Sequence, residues 1–354
     1  MSKFPLYEKL CSYALLKHSY ERMLVGSRKY CREAILFDMA REKNLIALWR
    51  ELKNETYYHS DYHRFDVTRP KVRRVSAPRL RDKIVQYAVH TILWSVYCNI
   101  FISDTYACLL DRGSHRAVNR VQHYIRKCTW QYGECWIVKA DITKYFYSID
   151  RDILKKVYRK QIQDEKFLRL LDIIVDSSPE IRVGIPLGNV TSQDFAGIYL
   201  NELDQFVKRY LGVKYYVRYM DDFVLMVPTK EEAAQLLEQI ERFLRERLHL
   251  ELNTKTRIFP GAQGVNAYGF KIHATHKHVR NDSKAAMKRK IKAMDRKYKA
   301  GEISLKDVER SVNSWLGHAR HSNSFNLAKK IFAPFDYVRV RHKKYRFGDK
   351  LGAQ

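Results

Sequence analysis

Two strand-like runs, Tyr215-Tyr216-Val217-Arg218-Tyr219 and Phe223-Val224-Leu225-Met226-Val227, leave only Met220-Asp221-Asp222 between them. β-Branched and aromatic residues on both sides of so short a connection predict a β-hairpin. Adjacent carboxylates at a hairpin tip repel each other, and each makes its neighbour harder to ionise, unless a cation neutralises them. A solvated surface turn is the competing reading, but the flanking runs are too apolar for a surface ribbon. The hairpin belongs in a core, and its tip suits a hard divalent metal that takes oxygen ligands.

A two-metal site needs a further carboxylate. Cys135-Trp136-Ile137-Val138-Lys139-Ala140 is a short apolar run of buried-strand type, and Asp141 ends it. From there the chain runs through Ile142-Thr143-Lys144-Tyr145-Phe146 to Ser148-Ile149-Asp150. Taken alone, Asp141 reads equally as a helix N-cap after a strand. Beside Asp221 and Asp222 it completes a set able to hold two cations about 4 Å apart, the clamp used for in-line phosphoryl displacement.

Tyr219-Met220-Asp221-Asp222, together with Asp141 and Phe146, resembles the palm motifs of reverse transcriptases. Gly184-Ile185-Pro186-Leu187-Gly188-Asn189-Val190-Thr191-Ser192-Gln193, followed by Ala196 to Asp204, is similar to the loop and helix with which that family contacts nucleotide and template. Most of the family has Gln-Gly and later Ser-Pro there, whereas this chain has Leu187-Gly188 and Ser192-Gln193. That departure resembles the enzymes of diversity-generating retroelements, which copy a template RNA with errors at adenines. The likeness runs in consistent order over roughly residues 40 to 335.

The resemblance implies an α+β right-hand polymerase. Its parts are an N-terminal helical segment (1–60), fingers (61–130), a palm with an antiparallel sheet packed on helices (131–275), a helical thumb (276–335) and a basic C-terminal tail (336–354). The implied activity is RNA-directed DNA synthesis with two Mg²⁺ ions, replaceable by Mn²⁺, held by Asp141, Asp221, Asp222 and Ile142. The implied partners are an RNA template, a DNA or RNA primer, deoxynucleoside triphosphates and a small basic accessory protein oligomer. The implied setting is the cytoplasm, with the gene carried by a bacterium or phage. Two alternatives stand beside this reading: an antiphage defence reverse transcriptase with a different RNA, and an RNA-binding scaffold without catalysis. The intact Asp141, Asp221 and Asp222 argue against the scaffold.

The resemblance also assigns finer roles. Lys71, Arg73 and Arg74 precede a helical pattern (Ile84, Tyr87, Ala88, Thr91, Ile92) and are candidates for the incoming triphosphate, with a solvated basic strand as the plainer reading. Phe146 would stack under the sugar and exclude a ribose 2′-hydroxyl, although a core aromatic is the usual role of Phe. Leu187 and Gly188 would meet the nascent pair, and Leu187, lacking a polar group, implies low fidelity. Lys255 resembles a lysine that protonates departing pyrophosphate. Ser192, Gln193, Tyr219 and Met220 are expected at the template or primer, and Gly269 with Phe270 at the primer grip. Ser114 reads as a helix cap, and Ser304 with Asp307 as a capping box. His115 and His123 are left out of the active site.

Composition agrees without deciding. The net charge is +27, from 66 Lys and Arg against 39 Asp and Glu, and the pI is about 9.8. Residues 271 to 346 hold 21 basic and 6 acidic residues, an excess of 15, which points to polyanionic partners. Six cysteines show no paired ligand spacing and read as reduced thiols, which speaks against zinc and a disulfide framework. No apolar run is long enough to span a bilayer, so a membrane partner is not expected.

Overall fold

The computed structural model describes residues 5–68, 71–180, 183–335 and 338. The expected basic tail therefore lies outside the described residues except for Val338. Four short helices open the chain: α1 (Leu6–Leu10), α2 (Tyr13–Met23), α3 (Arg32–Met39) and α4 (Arg41–Lys53). An antiparallel ribbon follows, β1 (His63–Val67) with β2 (Arg73–Ala77), and leads into α5 (Leu80–Tyr97). The sequence predicts a one-faced amphipathic α5. Instead Ile84, Val85, Ala88, Val89, Ile92 and Leu93 are all buried, because α2 packs along α5 and so does the helix Val190–Gln205. The helix α6 (Ser114–Tyr132) begins one residue earlier than a Ser114 cap would allow. Gly113, at φ 142°, occupies the cap position and Ser114 is the first helical residue, with no side-chain cap bond.

The centre of the molecule is a four-stranded antiparallel sheet. Its first strand is β3 (Trp136–Asp141), followed by α7 (Tyr145–Ser148), α8 (Arg151–Arg159), α9 (Glu165–Asp176) and α10 (Val190–Gln205). The hairpin β4 (Tyr215–Tyr219) and β5 (Asp222–Val227), then α11 (Lys230–Leu248) and β6 (Arg257–Pro260), complete it in the order β4-β5-β3-β6. Asp150 and Asp164 cap α8 and α9 by accepting from main-chain N–H groups of their first turns. Side-chain alternation sorts the strands between two cores. Val138, Ala140, Phe223 and Leu225 join α10 and α11, whereas Ile137, Val217, Val224 and Met226 join Val118, Val121 and Ile125 of α6. Burial on both faces explains why these strands read as continuous apolar runs.

A smaller sheet, β7 (Val265–Ala267), β8 (Phe270–Ile272) and β9 (Lys277–Val279), extends the α6 side. The chain then forms α12 (Asn281–Lys299), α13 (Leu305–Ala319) and α14 (Phe325–Phe332), which share their own core of Met287, Ile291, Val308, Val312, Leu316 and Phe332. The expected capping box opens α13, with Ser304 and Asp307 bonded reciprocally. Among the described residues no helix is long and apolar enough to cross a membrane.

Candidate active site

The register of the central sheet sets the site. Asp141, the last residue of β3, lies opposite Asp222, the first of β5, and Asp221 sits in the turn beside it. Alternation puts Lys139 on the same face as Asp141, and its Nζ reaches to 3.5 Å from Asp222 Oδ1. That oxygen is buried and makes no hydrogen bond. Main-chain bonds fix the carboxylate-bearing backbone: Asn253 N donates to Asp141 O at 2.7 Å, and Ile142 N donates to Asp221 O at 3.3 Å.

All three carboxyls are pushed above their ordinary range. Burial is the main cause for Asp222, which rises to about 6; Asp141 and Asp221 add to it and Lys139 opposes. Burial also raises Asp221, with the Asp141 charge second, and raises Asp141 against Lys139, Lys71 and Lys255. Among the described residues the side chains do not converge into a closed set of three or more ligands. A buried carboxylate oxygen without a hydrogen bond, ion-paired to Lys139 at 3.5 Å, in a crowd of carboxyls that resist ionising, fits hard divalent cations in an open site.

A cavity of about 680 Å³ adjoins the turn, lined among others by Arg73, Phe146, Leu187, Gly188, Gln193 and Met220. Gly188 is required where it stands. Its φ is +128°, and a Cβ there would lie 2.5 Å from Ser76 O, while Ser76 N donates to Leu187 O at 2.7 Å. Of the three basic candidates, Arg73 acts on the charge of Asp221 and Lys71 on that of Asp141. Arg74 is bound elsewhere: alternation turns it to the other side of the ribbon, where Nε pairs with Asp66 Oδ1 at 3.1 Å. Lys255 is exposed and acts on Asp141. Gln193 is exposed, but Ser192 is buried within α10 and offers no hydroxyl to a nucleic acid. The Tyr219 ring lies 5.4 Å from that of Tyr268. Gly269, at φ +91°, and the buried Phe270 abut His318 of α13, so the Phe270 ring belongs to a joint between β8 and α13 rather than to the cleft.

Residues 63–272 match the family described as reverse transcriptase (RNA-dependent DNA polymerase). The chain belongs to the reverse transcriptase family. It is 29% identical over 228 residues to Protein YkfC of Escherichia coli (strain K12), an alignment covering 53% of this chain and 60% of that protein. It is 24% identical over 305 residues to the group II intron-encoded protein LtrA of Lactococcus lactis subsp. cremoris, covering 65% of this chain and 50% of that one. The chain thus spans between half and 60% of the length of these two relatives. Among solved structures, apo telomerase from Candida tropicalis matches with a TM-score of 0.52 at 12% identity, over 77% of this chain and 59% of that one. A telomerase from the same organism, in complex with a fragment of telomeric RNA, matches with a TM-score of 0.51 at 13% identity, over 81% and 58%. At that identity the likeness shows the fold alone, a right-hand polymerase of helices and antiparallel sheet.

In this reverse transcriptase domain three contributors escape a reading of motifs. Asn253, beyond α11, braces Asp141 through its main-chain N–H, with its side-chain Nδ2 3.5 Å from Asp141 Oδ2. Lys139 sits in the middle of an apolar strand, and that lone charge was its signal. Arg218 of β4 is the third, buried against Asp204 of α10.

Proposed function

We propose that the chain is an RNA-directed DNA polymerase that adds deoxynucleotides to a primer 3′-hydroxyl. The observation that carries the reading is the pairing of Asp141 with Asp222, with Asp221 in the adjoining turn, at the edge of a cleft that Arg73, Phe146, Leu187 and Gly188 line. In this reading the palm is 131–275, the fingers 61–130 and the thumb 276–335, with 1–60 as an N-terminal helical segment. Asp141, Asp221 and Asp222, with Ile142, would hold two Mg²⁺ ions, for which Mn²⁺ would substitute. When bound, the ions stabilise the attacking and leaving oxygens of an in-line displacement.

The protein's own groups do the rest. Lys71 and Arg73 bind the triphosphate, since their charges already act on Asp141 and Asp221. Phe146 underlies the sugar and leaves no room for a 2′-hydroxyl. Lys255 is the candidate proton donor to pyrophosphate. Gln193, Tyr219, Met220 and the Gly269 main chain meet template and primer, while Ser192 and Phe270 support them from within. The thumb's cationic helices hold the duplex.

Leu187 supports a narrower reading, mutagenic copying in a diversity-generating retroelement, in the cytoplasm and with a small basic accessory protein. In this reading the apolar Leu187 lies beside the nascent pair and forgoes a hydrogen bond worth about 0.5–1.5 kcal/mol net. The test is primer extension by the purified protein on an RNA template with Mg²⁺ and deoxynucleotides, with the products sequenced. DNA with errors at template adenines, made more accurate by Leu187→Gln, is the expected result. Accurate DNA from the wild type favours the defence-type enzyme, and no DNA, even with the native RNA and the accessory protein supplied, overturns the polymerase reading in favour of the RNA-binding scaffold.

A further inference from the structure

The hairpin strand β4 carries one charge, and it belongs to the largest of the fully buried side chains among the described residues, Arg218. Each guanidinium nitrogen has a partner. Nε donates to Asp204 Oδ1 at 2.7 Å, Nη2 to Asp204 Oδ2 at 2.5 Å, and Nη1 to the Met220 carbonyl at 2.9 Å. Asp204 is saturated in turn, accepting from Tyr216 Oη at 2.9 Å and Thr105 Oγ1 at 2.6 Å. The arginine's own main chain is pinned to a neighbouring segment, with Arg218 N donating to Asp104 O and Tyr106 N donating to Arg218 O, both at 3.0 Å.

A buried ion pair is a poor device for stability alone, because desolvation offsets most of its attraction. What a bidentate fork supplies is direction. Its third arm ends on Met220, the residue before Asp221, which sits at φ 56° in the left-handed region that non-glycine residues adopt only when held.

We propose that Arg218 and Asp204 form a strut that fixes the Met220–Asp222 turn, and so holds the backbone from which Asp221 and Asp222 would reach a divalent cation beside Asp141. Arg218 is thus a positioning residue acting through the Met220 carbonyl. The inference rests on the reading of the three aspartates as metal ligands. Its prediction is specific: loosening the strut weakens cation binding more than it weakens the fold.

The test measures Mn²⁺ binding by the electron-paramagnetic signal of the free ion, alongside thermal unfolding and the Mn²⁺ dependence of primer extension. The proteins are wild type, Arg218→Lys and Asp221→Asn. A lysine keeps the charge opposite Asp204, but one ammonium cannot span Asp204 and the Met220 carbonyl at once. The expected result is a folded Arg218→Lys protein whose Mn²⁺ affinity falls about 10- to 100-fold, with the half-saturating Mn²⁺ for extension rising in step and the rate recovering at high Mn²⁺. Should that variant fail to fold, Arg218→Met with Asp204→Leu leaves no unpaired buried charge and is read by the same criterion. Asp221-dependent Mn²⁺ binding that the folded strut variant leaves unchanged removes the strut alone. Wild-type binding no stronger than that of Asp221→Asn removes the ligand assignment and the strut with it.

Discussion

Asp222 is the residue whose chemistry the fold alters most plainly among the three carboxyls. Its folded pKa of about 6 lies above the ordinary 3.8, so the folded state holds a proton that the unfolded chain has already released. Its contribution to stability is therefore favourable at low pH and is lost as pH rises from about 4 through about 6. Asp222→Asn removes the cost of that buried charge. Without metal at pH 7 the variant should melt higher than wild type, by about 2 °C, and the difference should vanish near pH 4. A variant that melts lower at pH 7 contradicts this account of the site. The proposed cation binding has the opposite dependence, because a carboxyl ligand must be ionised. Mn²⁺ affinity should fall as pH drops below about 6 in wild type, and titrations at pH 5 and pH 7.5 check it.

At the scale of elements, Gly188 joins the loop before α10 to β2 of the ribbon. Gly188→Ala drives a Cβ against Ser76 O and strains a φ of +128°, so it should pull Leu187 and the ribbon apart. The expected result is a raised KM for deoxynucleotides with RNA affinity unchanged; an unaltered KM would show that this stitch does not shape the cleft. The three strands that carry or flank the aspartates were legible in the sequence because each is a short apolar run, with Asp141 closing the first and Asp221 and Asp222 separating the other two. The α13 capping box was legible for the same local reason. What stayed hidden depends on partners distant in the chain. No pattern around Arg218 announces Asp204 on α10, and α5 reads as amphipathic until α2 and α10 cover it from two sides. Arg74 looks like Arg73 in a row of cations, yet strand alternation sends it to Asp66. Ser192 looks like Gln193, yet helical phase buries one and exposes the other.

For the whole molecule, charge governs the partner. On the proposed function, a net charge of +27, with an excess of 15 in residues 271 to 346, makes phosphate contacts and counterion release the main term in template binding. Affinity for an RNA–DNA duplex should fall steeply and linearly in a plot of log K against log salt, by about 10³-fold or more between 50 and 200 mM for six or more contacts. A flat salt plot would remove the cationic helices α12, α13 and α14 from the proposed binding surface. The proposed function places the chemistry where β3 meets the hairpin. The measurement that tests it most directly is single-nucleotide addition to a primed RNA template by wild type and Asp221→Asn at equal, saturating template. The expected result is incorporation by wild type and a loss of about 10²- to 10³-fold or more in the variant, with circular dichroism and RNA affinity unchanged. Incorporation by Asp221→Asn at the wild-type rate would contradict it.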